Sequence, residues 1–225
     1  MRELTDSGYP LVSASILNAD LTDLKALAAL VKSSGADAIH YDVMDGCFVD
    51  NISFGLPVLQ NLLGCSELPA DVHLMIQDPL RFISRFAMEG VKWISFHAES
   101  ASPADKTISA IHAAGISAGI ALSPGTPVET VFPYLPLLNR GDFVLIMTVE
   151  PGWGNQAFIE STLEKIKVLH ERFQTYGLPL HIQVDGGIND VTAPVCREAG
   201  ADFIVSGSYL LKAADKQQAC VLLRG

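Results

Sequence analysis

Eight short, almost wholly apolar runs recur along the chain, each followed by a stretch with helical periodicity, and the rhythm never breaks. The runs are Leu11–Ile16, Ala38–Val43, Asp71–Met75, Lys92–His97, Ser117–Leu122, Asp142–Thr148, Leu180–Val184 and Asp202–Val205. The intervening helices are predicted over Leu21–Ser34 (capped by Asn18 or Asp20 and ended by Gly35), around Pro57–Leu63, from Pro79 to Glu89 with Gly90 as its stop, and from Ala104 to Ala114,. A short one near Val128–Tyr134 follows, then Ser161–Tyr176, one ending about Ala199, and a last one after Ser208. Strands apolar on both faces belong to a parallel sheet covered by helices. Eight such units in 225 residues predict a closed (β/α)8 TIM barrel at the compact end of its size range. A doubly wound open sheet is the alternative, but no Gly-x-Gly-x-x-Gly follows the first strand,. Without a linker, low-complexity run or composition shift, residues 1–225 read as a single barrel domain.

In this fold the reacting groups sit at the C-terminal ends of strands. Those positions hold Ser15, His40, Asp42, Met44, His73, Met75, His97, Ser123, Met147, Asp185 and Ser208. His40, Asp42 and Met44 alternate along one strand, so they share a face. His73 comes from the next strand, and Asp185 from the seventh, nearly across the ring. Two imidazoles and two carboxylates converging on one mouth make a site for a divalent metal, with Zn²⁺, Mn²⁺ and Fe²⁺ the candidates. Carboxylates on opposite sides of a ligand also suit inversion of a stereocentre, one removing a carbon-bound proton and the other returning one to the opposite face. A divalent ion there would add Lewis acidity, and the three methionines would give a soft, dry lining to a planar intermediate. His97, His112, His170 and His181 read as hydrogen-bonded structural residues, and Cys47, Cys65, Cys196 and Cys220 as inert packing.

Three late loops carry glycine: Pro151-Gly152-Trp153-Gly154-Asn155-Gln156, Asp185-Gly186-Gly187 and Ser206-Gly207-Ser208. Together, on the last three strands, they favour a phosphorylated substrate. The net charge of −10 excludes nucleic acid and anionic membrane, which need a basic footprint. A small anion is still admissible, because backbone N–H groups at glycine turns can hold it without lysine. The longest core-like segments are about 7 residues, far short of the ~20 a membrane-spanning helix needs. Met1–Pro10 lacks the apolar stretch of a secretory signal,. The cysteines show no CxxC spacing, so free thiols and a cytoplasmic location are expected,.

The chain carries the motifs Ser15-Ile16-Leu17-Asn18-Ala19-Asp20, His40-Tyr41-Asp42-Val43-Met44-Asp45-Gly46, Asp71-Val72-His73-Leu74-Met75, Pro151-Gly152-Trp153-Gly154, Val184-Asp185-Gly186-Gly187 and Gly207-Ser208. In these, and from about Ser13 to Leu211, it resembles the ribulose-phosphate 3-epimerases. The resemblance implies a ribulose-phosphate-binding barrel that inverts C3 of a ketose phosphate through a 2,3-enediolate, with one divalent ion (Zn, Fe, Mn or Co) and a homo-oligomeric state. By the same resemblance His40, Asp42, His73 and Asp185 are the metal ligands and Asp42 and Asp185 the acid/base pair. Ser15 and His73 contact substrate, Met44, Met75 and Met147 line the intermediate, and Gly152, Trp153, Gly154, Asn155, Gly186, Gly187, Gly207 and Ser208 form the phosphate end. The chain departs from the family pattern at Ala14, Cys47, Asp50, Ser123, Glu150, Trp153 and Asn155. These departures leave the four polar residues intact but touch pocket loops.

The expected substrate pair is D-ribulose 5-phosphate and D-xylulose 5-phosphate. The alternatives are a sister 3-epimerase acting on allulose 6-phosphate or another ketose phosphate, and a barrel that binds a sugar phosphate without turning it over. Decarboxylases on similar barrels use an Asp-x-Lys-x-x-Asp array, whereas Asp42-Val43-Met44-Asp45 contains no lysine.

Overall fold

The computed structural model describes residues 10–225, and the expectation about the polar leader falls on residues 1–9, outside the described residues. Strands β1 (Leu11–Ser15), β2 (Ala38–Met44), β3 (Ala70–Met75), β4 (Val91–His97), β5 (Ser117–Leu122), β6 (Phe143–Met147), β7 (His181–Asp185) and β8 (Phe203–Ser206) pair in sequence order. Every pairing is parallel, and β8 returns to β1 to close the barrel. The helices around it are α1 (Leu24–Ser33), α2 (Leu56–Cys65), α3 (Ile83–Phe86), α4 (Ala104–Ala113), α5 (Leu163–Tyr176), α6 (Thr192–Ala199), α7 (Ser208–Lys212) and α8 (Lys216–Arg224). Among the described residues no helix is long and apolar enough to cross a membrane.

The strands are buried throughout, yet the two-residue alternation sorts their side chains into two different interiors. Outward residues such as Val12, Tyr41, Val72, Ile94, Ile120, Val144, Ile182 and Ile204 pack with the helices into one large apolar layer. Inward residues form a second cluster that runs up the barrel, with Leu11, Ala38, Trp93, Phe143 and Phe203 toward the N-terminal ends of the strands and Met147 and Val149 at the other end. Trp93 and Phe143 each meet the Phe203 ring edge-on, with centroids 5.4 and 5.8 Å apart. Fully burying each such phenylalanine contributes roughly 1.5–3 kcal/mol. Gly119 on β5 makes room for this plug, since a Cβ there would lie 2.3 Å from Phe143 Cζ.

Several predicted element bounds shift for physical reasons. The cap of α1 is Asp23, whose carboxylate accepts from the Ala26 N–H at 2.9 Å, while Asp20 closes a local turn onto Thr22. The helix expected to run to Glu89 is a 3-10 turn (Pro79–Phe82) followed by α3, and it ends at Phe86. Ala87 and Met88 favour helix, but the chain must turn at Gly90 (φ +94°) to start β4, and that tertiary demand overrides a weak local preference,. Val128–Leu137 is 3-10 throughout, because Pro133 and Pro136 each remove an N–H that an α-helix would use,. The single last helix is two, parted at Ala213.

Candidate active site

The β2–β3 register places His40 beside Asp71, Asp42 beside His73, and Met44 beside Met75. All six point inward, so acid and imidazole alternate across the two strands. The β6–β7 register adds Asp185 beside Met147 from the other side of the ring. At the top of the barrel one donor atom each from His40, Asp42, His73 and Asp185 falls within 4.8 Å of all the others. His40 Nε2 lies 3.3 Å from Asp42 Oδ1 and 3.7 Å from Asp185 Oδ2. His73 Nδ1 lies 3.5 and 3.9 Å from the same two oxygens.

Each member is held from behind. Ser15 Oγ donates to Asp42 Oδ2 at 2.8 Å. Asp71, fully buried, bonds His40 Nδ1 at 2.7 Å and accepts from Gln183 Nε2 at 2.7 Å. Thr148 donates its N–H to the Asp185 carbonyl at 2.8 Å and its hydroxyl to the Gly186 carbonyl at 2.5 Å, fixing the end of β7. The β2 loop is tied down by Asp45, whose carboxylate accepts from the N–H groups of Cys47, Phe48 and Gln77. Asp45 therefore belongs to the scaffold rather than to the reacting set.

The front of the cluster is different. His40 Nε2 and His73 Nδ1 are buried and have no hydrogen-bond partner. Orphaned buried polar atoms are rare in folded proteins, and both of these face the two carboxylates. Two nitrogen and two oxygen donors in that arrangement fit a divalent transition metal, the imidazoles suiting Zn²⁺, Fe²⁺, Mn²⁺ or Co²⁺ better than a hard ion such as Ca²⁺.

The electrostatics split the carboxyl pair. Burial alone would raise Asp42, but the His40 and His73 imidazoles outweigh it and hold that carboxyl well below the usual range. Burial raises Asp185 to about 7, helped by the negative charges of Asp42 and Asp71 and opposed by His40. For His40 burial disfavours charge, but Asp42 and Asp71 together push it well above an ordinary histidine. Burial lowers His73, with Asp42 pulling partly the other way. Two neighbouring carboxyls driven in opposite directions keep one charged and let the other hold a proton, the division of labour that acid–base pairs need.

Above the cluster opens a cavity of about 460 Å³. Ser15, Asp42, Met44, Met75, Met147 and Asp185 line its floor. Gly152, Trp153, Gly154, Asn155, Gly186, Gly187, Gly207 and Ser208 line its far wall. His40 and His73 are fully buried beneath Asp42 and Asp185, so neither imidazole reaches the cavity wall. Among the described residues no lysine or arginine lines the cavity, which leaves backbone N–H groups, hydroxyls and the side-chain amides of Asn18, Asn155, Gln156 and Asn189 as its donors for an anion. Gly186 and Gly187 adopt φ +119° and +66°, and a Cβ on either would strike Val149 or the Phe158 backbone within 3 Å. Asn155 is the one non-glycine with positive φ (59°) among the described residues, and its Oδ1 accepts from Ser208 Oγ at 2.6 Å. Trp153 is 60% exposed at the rim, and the Glu150 side chain is exposed beside it.

Some contributors were not singled out in the sequence. Asp71 and Gln183 stand two residues before His73 and Asp185 on the same inward faces, so the alternation itself could have flagged them. Asn18 also lines the cavity, its amide packed so closely on Gly154 that a Cβ there would lie 2.0 Å from Nδ2. His97 was read as structural, and it does bond its neighbours, at 3.0 Å to His73 and 3.2 Å to Glu99. Burial lowers His97 to about 4, while His97 and Thr126 overcome burial to hold Glu99 at about 2. His112 and His181 pair with Asp142 and Asp202 at 2.6 Å, away from the cavity. Cys47 corrects the reading of the cysteines as packing, because it is exposed in the β2 loop. Cys196 and Cys220 are buried, and burial pushes the Cys196 thiol up to about 12.

Residues 11–211 match the ribulose-phosphate 3 epimerase family. The ribulose-phosphate 3-epimerase of Bacillus subtilis is 43% identical over 215 residues, covering 95% of this chain and 98% of that protein. The enzyme of the same name from Mycobacterium tuberculosis is 43% identical over 218 residues, covering 97% and 93%. Among solved structures, 3-keto-L-gulonate-6-phosphate decarboxylase from Vibrio cholerae superposes with a TM-score of 0.67 at 18% identity, covering 96% of this chain and 95% of that one. That likeness shows the barrel fold alone.

Proposed function

Because the chain belongs to the ribulose-phosphate 3-epimerase family and is an isomerase, we propose that it inverts C3 of a ketose phosphate, interconverting D-ribulose 5-phosphate and D-xylulose 5-phosphate. The observation that carries this reading is the pair of carboxyls, Asp42 from β2 and Asp185 from β7, meeting at one cavity floor within 4.8 Å. With the sugar lying on that floor, one carboxylate takes the C3 proton and the other carboxyl delivers a proton to the opposite face. In the reverse reaction the two exchange roles. Ser15 fixes Asp42 through its second oxygen, so the basic oxygen keeps its aim. Met44, Met75 and Met147 border the floor with buried, weakly polar side chains that exclude water from the flat 2,3-enediolate.

A divalent cation held by His40 Nε2, His73 Nδ1, Asp42 and Asp185 would supply Lewis acidity, stabilising the negative charge that develops on the oxygens beside C3. At the other end the phosphate would rest on the N–H groups of the Gly186, Gly187 and Gly207 turns and on the Ser208 hydroxyl. Asn155, whose Oδ1 already accepts from Ser208, adds an amide at that end. In this reading residues 1–225 form one domain of a homo-oligomer, and its location is the cytoplasm, a reading supported by the Oryza sativa relative, 38% identical and called a cytoplasmic isoform.

The test is turnover in D₂O. Deuterium should enter C3 of D-ribulose 5-phosphate as D-xylulose 5-phosphate forms, with kcat/KM higher than for allulose 6-phosphate. Sugar phosphate that binds but never exchanges its C3 proton would reduce the protein to a binding barrel.

A further inference from the structure

His40 and His73 present different nitrogens to the carboxyl pair, and the backing of each ring explains why. His40 has a carboxylate behind it: Asp71 Oδ2 lies 2.7 Å from Nδ1, which holds a ring proton there and leaves Nε2 as the nitrogen turned toward Asp42 and Asp185. His73 has no carboxylate behind it. Its Nε2 lies 3.0 Å from Nε2 of His97, a second fully buried imidazole on β4 whose ring stacks on it with centroids 5.0 Å apart.

Two imidazole nitrogens facing each other leave open which one donates, and the far side of His97 settles it. His97 Nδ1 lies 3.2 Å from Glu99 Oε2 and, farther off, 3.4 Å from the Ser123 hydroxyl, which can accept as well. The other oxygen of Glu99 accepts from the Ser123 N–H at 2.8 Å and the Thr126 hydroxyl at 2.5 Å. An ionised carboxylate only accepts, so His97 must carry its proton on Nδ1. Its Nε2 is then a bare acceptor, which requires the proton of His73 to sit on Nε2. The remaining nitrogen, His73 Nδ1, is thereby left with a lone pair directed at Asp42 and Asp185, and it is one of the two orphaned imidazole atoms of the cluster. Every hydrogen-bonding atom from Glu99 to His73 Nε2 is satisfied in this single arrangement.

We propose that His97 and Glu99 are positioning residues that fix the tautomer of His73, so that its Nδ1 rather than its Nε2 serves the cation site. The proposal rests on the metal-assisted reading above for its purpose, but its tautomer chain follows from hydrogen bonds alone. Removing the outer partner of a metal-bound histidine typically weakens metal binding about 10–100-fold.

The experiment combines long-range ¹⁵N–¹H NMR of the metal-free wild type with zinc affinities, measured by chelator competition, of wild type, His97→Leu and His97→Gln. The expected spectrum has His73 protonated at Nε2 and His97 at Nδ1. The expected affinities are about 10–100-fold weaker for His97→Leu and largely restored for His97→Gln, whose amide can accept from His73 and donate to Glu99. Wild-type zinc affinity in a folded His97→Leu protein, or a His73 proton found on Nδ1, would overturn the proposal. The wild-type spectrum decides even if the leucine variant does not fold. Failure of the epimerase reading would look different: the tautomers as expected, with no exchange at C3.

Discussion

Of the four donor residues, Asp185 has the most open side chain, 16% exposed against 3% for Asp42, its companion on the cavity floor, and 0% for the two histidines. Asp185→Asn keeps the shape and removes the proton carrier. Epimerisation should fall about 10²–10⁴-fold, the usual worth of a general acid or base, while the circular dichroism spectrum stays that of the wild type. Near-normal turnover would eliminate the two-carboxyl reaction. At this scale much of the site was legible in the sequence, since His40, Asp42 and Met44 alternate on one strand and His73 and Met75 on the next. Less legible was the difference between facing the cavity and lying beneath it. The spacing that set His73 inward could not say that its ring would be covered by two carboxyls. Nor could Asn155 announce that it would adopt φ 59° and bond Ser208.

Elements obey the same physics with less precision at their ends. The strands were readable nearly to the residue, because an apolar run bounded by glycine or proline has few other uses. The helices were less so: α3 stops early and Val128–Leu137 is wound as 3-10, outcomes decided by barrel closure and by paired prolines. Gly119 shows how tightly neighbouring strands are matched. A methyl at this position would come within 2.3–2.8 Å of Phe143 and Ser95, and the ring of Phe143 is itself wedged against Phe203. Gly119→Ala should destabilise the fold by about 1–3 kcal/mol, as overpacking of a dense core does. Urea unfolding would measure it, and adding Phe143→Leu should recover part of the loss. An unchanged urea midpoint in the single variant would mean that the plug yields freely.

For the molecule as a whole, the cluster gathers His40, Asp42, Asp71, His73 and Asp185 in or beside the core, a dense set of ionisable groups. A cation that binds the folded barrel and not the unfolded chain stabilises it by mass action, about 2.7 kcal/mol at 100 times its dissociation constant. Chelation should accordingly lower the melting temperature by about 5–10 °C for a chain of this size, with restoration on adding Zn²⁺ or Mn²⁺. Asp185→Asn should narrow that difference, and a melting curve indifferent to exhaustive chelation would contradict the cation site. Closure of the sheet was legible as a count of eight units. The pairing of Arg224 with Asp37, which fastens the last helix to the start of β2, was not, because its partners lie 187 residues apart.

The aromatic stopper at the foot of the barrel carries a kinetic consequence. Trp93, Phe143 and Phe203 make the enclosure a cup rather than a tunnel, so there is one doorway, used for arrival and departure alike. Two epimers of one sugar cannot pass each other there, and each must wait for the other to back out. In the proposed epimerisation, initial rates at several fixed concentrations of D-xylulose 5-phosphate should therefore converge on a common maximum velocity, and lines that do not converge would mean that this sugar also binds a form of the protein other than the empty one.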